Sequence, residues 1–174
     1  MKLEVPYGQT FLDFEVAEKR VLSVISPREV ASSLNPLQVV ERALENPIES
    51  STIESLSPKD KKIAIVVDDI SRMTPTETLL RPILGVLHGE GAKKEDIKII
   101  VALGTHRPMT MREMKDKYGW QIVEQYEVIN HSFKDESELQ FVDHVAGKIP
   151  IWINKEYAKS DLRIATGNIV PHYN

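Results

Sequence analysis

Two apolar segments of strand length, joined by a helix-like segment, constrain the fold of this chain more than any other feature. Residues 62–67 and 97–103 are each dominated by apolar side chains over about the length of a buried strand. Between them, apolar residues at helical spacing predict a helix over residues 77–87. A strand, a helix and a second strand in this order form a βαβ unit with parallel strands. The sequence therefore predicts an α/β fold.

Each apolar segment ends in a cluster of polar residues. The first leads into residues 68–75, which include two aspartates and an arginine, and the second leads into residues 104–108, which include His106. In parallel α/β sheets, the loops at the carboxyl ends of the strands gather ligand-binding side chains above a sheet that is otherwise covered by helices. We therefore expect both clusters at one edge of the sheet, with His106 facing a ligand.

Composition excludes several classes of protein. The 174 residues suffice for one domain with a sizeable core, and the 22 basic residues are spread along a chain of net charge −4, which does not suggest a nucleic-acid surface. The absence of cysteine excludes disulfides and thiolate metal sites. Residues 1–8 lack the apolar core of a signal peptide, and no segment approaches the roughly twenty apolar residues of a membrane span. We expect a cytoplasmic protein without a membrane or nucleic-acid partner.

The N-terminal region is predicted to form a small antiparallel edge before the α/β core. Residues 3–8, 12–16 and 21–25 are each typical of a short strand. Asn and Pro at the start of segment 35–46 then predict the beginning of a helix, which we expect to pack on the sheet. The expected fold class is a Rossmann-like, mostly parallel sheet flanked by helices, with this antiparallel N-terminal edge.

The later part of the chain continues the α/β pattern. Thr110 and Glu113 have the spacing of a capping box, and the helix that they begin is expected to end at Gly119. Apolar patterns predict three further segments: a strand over 126–131, a hairpin over 142–153 and a strand over 161–167. The sequence stops shortly after a Pro-His turn at His172. We expect residues 1–174 to be a single α/β domain, the N-terminal half of a longer two-domain enzyme.

His106 and His172 are the candidate acid/base residues. Each follows an apolar strand and a glycine, so both are expected at the same edge of the sheet. A neutral imidazole can take or give a proton near neutral pH. Two such groups on opposite sides of a substrate suit a reaction that works on either enantiomer. Each histidine could equally satisfy a backbone group in its own turn, and both interpretations stay open here.

Arg72 is the candidate anion-binding residue. Its guanidinium could hold a carboxylate or a phosphate through two hydrogen bonds, and the helix that begins near Pro75 offers free N–H groups that favour an anion. The same residue types also suit a turn that is stabilised by side-chain-to-backbone hydrogen bonds. His131 and His144 are weaker candidates, and His88 is expected to be solvated at the outer end of its helix.

No metal-binding or dinucleotide-binding motif is present. The chain contains no H-x-x-x-H or H-E-x-x-H spacing, so a self-contained metal site is not expected. The G-x-G-x-x-G pattern of dinucleotide-binding folds is absent as well.

Four motifs, taken in order, resemble a known family. They are Asp68-Asp69-x-Ser71-Arg72-x-Thr74-Pro75, Ala102-Leu-Gly-Thr-His106-Arg-Pro108-Met-Thr110, Asn130-His131 and Gly167-x-x-x-Pro171-His172. This order resembles the N-terminal domain of the lactate racemase family, whose members are 2-hydroxyacid racemases and epimerases that use a nickel-pincer nucleotide. The likeness spans roughly residues 10–174.

The resemblance implies a reaction in which the cofactor accepts hydride from C2 of a lactate-like 2-hydroxy acid while a histidine removes the hydroxyl proton. It implies that His106 and His172 are the paired acid/bases and that Arg72 anchors the substrate carboxylate. Cofactor contacts are implied for Asp69, Ser71, Thr74, Gly104 and Thr105. The lysine that bonds the cofactor and the histidine that binds nickel are expected outside this chain, which alone is expected to be inactive.

Two alternatives belong to other classes of protein. The chain could be a non-catalytic anion or small-molecule binding module on the same fold, with Arg72 as its anchor. It could also be a structural half that only dimerises, which a large apolar surface would mark. A homo-oligomer is compatible with each of these hypotheses.

Overall fold

A computed structural model of this chain describes residues 1–8, 10–25 and 35–170, and the chain divides into two compact units, residues 1–33 and 34–174. In the first unit, β1 (Lys2–Tyr7) and β2 (Thr10–Glu15) form an antiparallel hairpin, with Lys2 opposite Glu15. These two strands confirm the predicted antiparallel segment at the N-terminus.

The prediction of a third N-terminal strand over residues 21–25 is wrong. These residues belong to no strand among those that the structure describes, and the side chains of Leu22 and Ile25 are almost fully exposed. A strand is stable only when a neighbour accepts its backbone hydrogen bonds and one of its faces is buried. A short apolar run specifies neither condition, so composition alone is an unreliable guide there.

The second unit is built on a four-stranded parallel sheet. Its elements, in chain order, are α1 (Pro36–Glu45), β3 (Ile63–Val67), α2 (Thr76–Gly89), β4 (Ile97–Val101), α3 (Met111–Tyr118), α4 (Trp120–Gln125), β5 (Glu127–Asn130), β6 (Leu139–Val145), β7 (Ile149–Asn154), α5 (Lys155–Lys159) and β8 (Leu162–Ala165). The strand order is β5-β4-β3-β8, and Val67 lies opposite Val101 in the β3–β4 pair. The βαβ unit and the Rossmann-like α/β fold are thereby confirmed.

The core lies between one face of this sheet and helices α2, α3 and α4. Six inward-facing residues of β3 and β4 are almost wholly buried: Ile63, Ile65, Val67, Ile97, Ile99 and Val101. The apolar stripe of α2 meets them through Leu80, Ile83, Leu84 and Leu87. Burying each such side chain stabilises the fold by about 1.5–3 kcal/mol. This core therefore stabilises the sheet from which the loops emerge.

Helix α1 begins as predicted but packs elsewhere. The side-chain oxygen of Asn35 accepts a hydrogen bond from the Leu37 N–H at 3.0 Å, which caps the helix. We expected α1 on the sheet, but it packs chiefly against α2, and Leu44 is its only described residue that packs against the core. The helices α2, α3 and α4 already cover that face of the sheet, so α1 is left with the outer surface of α2.

The short helix α5 lies on the opposite face, and the β6–β7 hairpin contacts α5. The predicted hairpin is confirmed, and its turn contains Ala146 and Gly147 with φ of 50° and 67°. The ammonium of Lys98 on β4 donates to the carboxylate of Glu156 on α5 at 2.6 Å. Among the described residues, no helix is long and apolar enough to cross a membrane.

Candidate functional site

Two loops at the carboxyl edge of the sheet form the candidate site. The aspartate loop, residues 68–75, follows β3, and the histidine loop, residues 102–110, follows β4. Because the two strands are parallel neighbours, their loops emerge side by side, and the Ala102 N–H donates to the carbonyl of Val67 at 2.8 Å. The predicted clustering of polar side chains at one sheet edge is present.

The two loops are joined by a hydrogen bond between Asp69 and His106. The Nδ1 atom of His106 lies 2.5 Å from Oδ2 of Asp69, whose side chain is only 6% exposed. The other carboxylate oxygen, Oδ1, accepts from the Ser71 N–H at 3.0 Å and from its hydroxyl at 2.5 Å. Burial raises the pKa of Asp69, but these hydrogen bonds from Ser71 and His106 outweigh it and hold the pKa below its ordinary value.

This hydrogen bond selects the tautomer of His106. A carboxylate only accepts hydrogen bonds, so Nδ1 must carry a proton, and in the neutral imidazole Nε2 is left with its lone pair. Within the part of the chain that the structure describes, Nε2 has no hydrogen-bond partner, and the side chain is half exposed. His106 is therefore an oriented imidazole that presents a basic nitrogen to solvent.

The second aspartate, Asp68, is surrounded by donors at the beginning of α2. Its carboxylate accepts from the hydroxyl of Thr74 and from that of Thr76 at 3.2 Å. The ammonium of Lys117 lies 3.3 Å away, and the Tyr118 hydroxyl donates to the Asp68 carbonyl at 2.8 Å. Burial raises the pKa of Tyr118, with the nearby aspartate charges adding to the effect. A protein carboxylate therefore lies close to the helix terminus that we expected to favour a bound anion.

Arg72 is exposed and lies beside an open cleft of about 640 Å³. The cleft is lined by Asp68, Ser71, Met73 and residues 167–170 as well as by Arg72. The Arg72 N–H donates to the Asp69 carbonyl at 3.2 Å, and its carbonyl accepts from the ammonium of Lys117 at 2.7 Å. Its guanidinium makes no hydrogen bond or ion pair with any residue that the structure describes. Arg72 thus has a fixed backbone and a cationic head group that no described residue binds.

The tip of the histidine loop is a glycine turn. Gly104 has φ of 55°, in the left-handed region that favours glycine, and nothing lies within 4 Å of the position that a Cβ would occupy. Gly104 and Thr105 are both exposed, and their N–H groups have no hydrogen-bond partner among the described residues. The His106 N–H closes the turn on the Leu103 carbonyl at 3.0 Å.

The far end of the histidine loop is fixed by two sets of contacts. Arg107 forms a two-pronged ion pair with Glu113, at 2.9 and 2.6 Å, and Glu113 also completes the predicted capping box with Thr110. The side chain of Asn130, at the end of β5, accepts from the Met109 N–H and donates to the Met109 carbonyl, both at 3.0 Å. His106 therefore stands on a loop that is anchored on both sides.

The remaining histidines have different positions. His172 lies outside the described residues, so its pairing with His106 stays a prediction. His144 is exposed on β6 and contacts Phe141, whereas Nδ1 of His131 lies 3.4 Å from the amide nitrogen of Asn154. The described residues include no group of three metal-ligating side chains.

The prediction that His88 is solvated is wrong. His88 is half buried, with Nδ1 2.8 Å from the Ala92 carbonyl and Nε2 2.6 Å from the Tyr126 hydroxyl. The end of α2 packs beside the residue that follows α4, and this contact cannot be read from the periodicity of α2 alone.

Sequence reasoning missed Lys117, which touches the aspartate loop from α3. Its only sequence signal is its place on a short helix, directly before the buried Tyr118 and three residues after the buried Met114. A lysine so close to a buried stripe can extend its ammonium along that stripe to a polar partner. Helical periodicity could thus have marked Lys117, although not its partners.

A known protein family matches nearly the whole of this chain. The family model described as the lactate racemase N-terminal domain matches residues 7–174. The chain belongs to the lactate racemase N-terminal domain family. Lactate racemases of Thermoanaerobacterium thermosaccharolyticum and Lactiplantibacillus plantarum are 30% and 29% identical to it over 173 residues, which is 98% of this chain.

Solved structures agree with the assignment to the lactate racemase N-terminal domain family. The lactate racemase apoprotein from T. thermosaccharolyticum matches 99% of the chain at a TM-score of 0.76 and 30% identity. A Thermotoga maritima protein matches 75% of the chain at a TM-score of 0.55 and 21% identity, which supports the fold alone. The chain spans about 40% of the length of the curated lactate racemases that it matches.

Proposed function

We propose that this chain is the histidine-bearing N-terminal part of a 2-hydroxyacid racemase or epimerase. The observation that carries the proposal is the oriented imidazole of His106, on a loop beside the one that carries Arg72, whose guanidinium has no partner among the described residues. A base and a carboxylate anchor are the two functions that a 2-hydroxy acid requires from the protein. Membership of the lactate racemase N-terminal domain family supports this combination.

Arg72 binds the substrate carboxylate with two parallel hydrogen bonds, which sets the orientation of C2. Nε2 of His106 then takes the proton of the C2 hydroxyl, and the Asp69 carboxylate stabilises the imidazolium that results. When bound, the nickel-pincer nucleotide supplies the hydride acceptor for C2, so that no unstable carbanion is needed. His172 serves the opposite enantiomer as the second acid/base.

The residues of the histidine loop suit a nucleotide cofactor. The N–H groups of Gly104 and Thr105, which have no partner among the described residues, are donors of the type that a phosphate accepts, and the space where a Gly104 Cβ would lie is open. Asp69, Ser71 and Thr74 use their side chains within the protein, so we propose that they shape the cofactor site through the loop backbone. The resemblance implies a lysine that bonds the cofactor and a histidine that binds nickel, and we propose that both lie outside this chain.

The test uses the full-length protein that contains this chain, loaded with cofactor. Chiral chromatography would follow interconversion of lactate, malate and sugar-acid enantiomers or epimers. We expect His106→Ala and His172→Ala each to lower kcat/KM by about 10²–10⁴-fold, since each removes an acid/base group. His144→Ala is the matched control, because His144 is exposed on a hairpin. Full turnover in His106→Ala would refute the assignment of His106.

The guanidinium of Arg72, which has no partner in the part of the chain that the structure describes, also favours a second candidate, the non-catalytic binding module. In that case the full-length protein binds a small carboxylate but turns nothing over. Calorimetry would show binding that Arg72→Ala abolishes and His106→Ala leaves unchanged. Loss of racemisation on nickel removal would instead favour the enzyme.

A further inference from the structure

Lys117 extends from α3 into the aspartate loop and binds three of its oxygens. Its ammonium lies 2.7 Å from the Arg72 carbonyl, 3.3 Å from a carboxylate oxygen of Asp68 and 3.4 Å from the Thr74 carbonyl. The side chain is only 9% exposed. One cation from a helix is thus enclosed by the backbone of the loop that carries the candidate substrate anchor.

Burying a lysine is costly unless the ammonium is paired. The side chain loses rotamer freedom and much of its hydration, and lysine is rarely found buried without compensating partners. Here the shortest contact is to a backbone carbonyl, although a carboxylate is also within reach. A lysine whose only role was to neutralise Asp68 would be expected closest to the carboxylate. The geometry instead favours a tether between α3 and the loop.

The tether completes the fixation of the Arg72 backbone. The Arg72 N–H is bound to the Asp69 carbonyl at 3.2 Å, and its carbonyl is bound to Lys117. The Cα of Arg72 is therefore held from both sides, while its guanidinium has no partner in the described part of the chain. Two-pronged recognition of a carboxylate needs the arginine to be placed within about 0.5 Å of the productive geometry.

We propose that Lys117 is a positioning residue for substrate binding: it holds the Arg72 backbone so that the guanidinium meets the substrate carboxylate. This inference rests on the proposed function, because the role of Arg72 as carboxylate anchor is part of that proposal. Lys117 acts through Arg72 and touches neither the substrate nor the reacting atoms.

The experiment compares Lys117→Met with Lys115→Met in the cofactor-loaded full-length protein. Lys115 is the matched control, because it lies on the same helix and pairs with Glu124 at 2.8 Å, away from the aspartate loop. For Lys117→Met we expect the KM for the 2-hydroxy acid to rise about tenfold and kcat to stay within about threefold of the wild-type value. The substitution weakens binding of the substrate and of the transition state equally, so the chemical step itself is little changed. The dissociation constant of propionate, measured by calorimetry, should rise in parallel.

A double-mutant cycle with Arg72→Met decides whether Lys117 acts through Arg72. We expect Lys117→Met to change KM little once Arg72 is gone, because coupled residues are not additive. Additive effects would overturn the inference. If Arg72→Met impairs binding and Lys117→Met does not, only the Lys117 inference fails. If Arg72→Met changes neither KM nor propionate binding, the anchor role in the proposed function fails, and this inference fails with it.

The variant Asp68→Asn/Lys117→Met covers the case in which the single variant does not fold. The double variant removes the Asp68 carboxylate together with the Lys117 ammonium, so neither charge is left buried without the other. Its KM is compared with that of the single Asp68→Asn variant, which is the reference. We expect KM in the double variant to stay raised about tenfold over that reference, because the Arg72 carbonyl is still released. A KM equal to the reference would show that Lys117 only neutralises Asp68, and would overturn the inference.

Discussion

At the scale of single residues, the Asp69 carboxylate organises the site because each of its oxygens holds a different segment. One oxygen binds Ser71 within the aspartate loop, and the other binds the ring of His106. A second Asp-x-Ser turn occurs at Asp135, which binds the N–H and the hydroxyl of Ser137 at 3.0 and 2.6 Å. The two turns are alike, but only Asp69 also contacts a histidine among the described residues.

This pair of turns allows a controlled prediction. In the full-length protein, Asp69→Asn should lower kcat by about 100-fold with little change in KM, because an amide no longer fixes the Nδ1–H tautomer or stabilises the imidazolium. Asp135→Asn alters the equivalent turn away from the site and should leave kcat unchanged. Steady-state kinetics with both variants is the measurement. Similar losses in both would mean that Asp69 matters only as a turn residue.

Single residues of the site were predictable, whereas their partners were not. Asp69 and His106 stand out because each follows a buried strand, yet nothing in the chain says that they bind each other across 37 residues. That contact depends on the parallel register of β3 and β4 and on the rotamers of both side chains. The expected cofactor contact of Asp69 stays a prediction, and its observed partner is His106.

At the scale of elements, the beginning of α3 anchors the histidine loop through Glu113. The Arg107 guanidinium holds the pKa of Glu113 down to about 2, with a further contribution from the Thr110 N–H. A carboxyl whose pKa is lowered on folding stabilises the protein above its ordinary value of 4.5, and this stabilisation is lost as the pH falls towards about 2. Protonation of Glu113 should therefore loosen the loop.

We predict that Glu113→Gln removes part of this acid sensitivity. Urea unfolding of the wild type should show a lower midpoint at about pH 3 than at about pH 5. This difference should be smaller in Glu113→Gln, because residue 113 then no longer binds a proton as the pH falls. Glu124→Gln, which alters an exposed ion pair with Lys115, is the control and should leave the difference unchanged. An identical pH dependence in Glu113→Gln and the wild type would contradict the prediction.

Two glycines should respond in opposite ways to the same substitution. Gly119 joins α3 to α4 with φ of 88°, a conformation that side chains rarely adopt, and a Cβ there would also displace the Glu77 carboxylate. Gly119→Ala should lower the free energy of unfolding by about 1–3 kcal/mol. Gly85 lies within α2 with nothing near its Cβ position, so Gly85→Ala should raise it by about 0.5–1 kcal/mol. Urea denaturation at neutral pH measures both, and equal shifts of the same sign would refute the argument.

At the scale of the whole molecule, the hydrophobic core belongs to the second unit alone. Every buried member of the described core lies between Ile63 and Leu162, and none comes from residues 1–33. The β1–β2 hairpin instead exposes Tyr7, Phe11 and Leu12. The four-stranded sheet therefore does not depend on the hairpin for its core.

We predict that a chain beginning at residue 34 keeps a cooperative unfolding transition. The apolar area that stabilises the sheet is unchanged, so the urea midpoint followed by circular dichroism should lie close to that of the 1–174 chain. Loss of a sigmoidal transition would show that the hairpin is required for folding. A chain without residues 149–165, which lacks β7, α5 and β8, is the control that should lose cooperativity.

The sequence by itself determined the elements that depend on local order. Strands β3 and β4, helix α2, the α3 capping box and the β6–β7 hairpin follow from periodicity, cap chemistry and turn residues, whose physical causes act within a few positions. The edge of the sheet that carries polar loops follows from the parallel βαβ connection. The predicted strand over 21–25 failed because a strand also needs a partner.

Only the tertiary structure decided which side chains meet. The contacts of Asp69 with His106, Lys117 with Arg72 and Asn130 with Met109 join elements that are distant in sequence. Each requires a strand register or a helix rotation to agree with the rotamer of one or two side chains, and none of these is encoded within a short window of residues. The packing of α1 on α2 was decided in the same way, because α2, α3 and α4 already cover the face of the sheet.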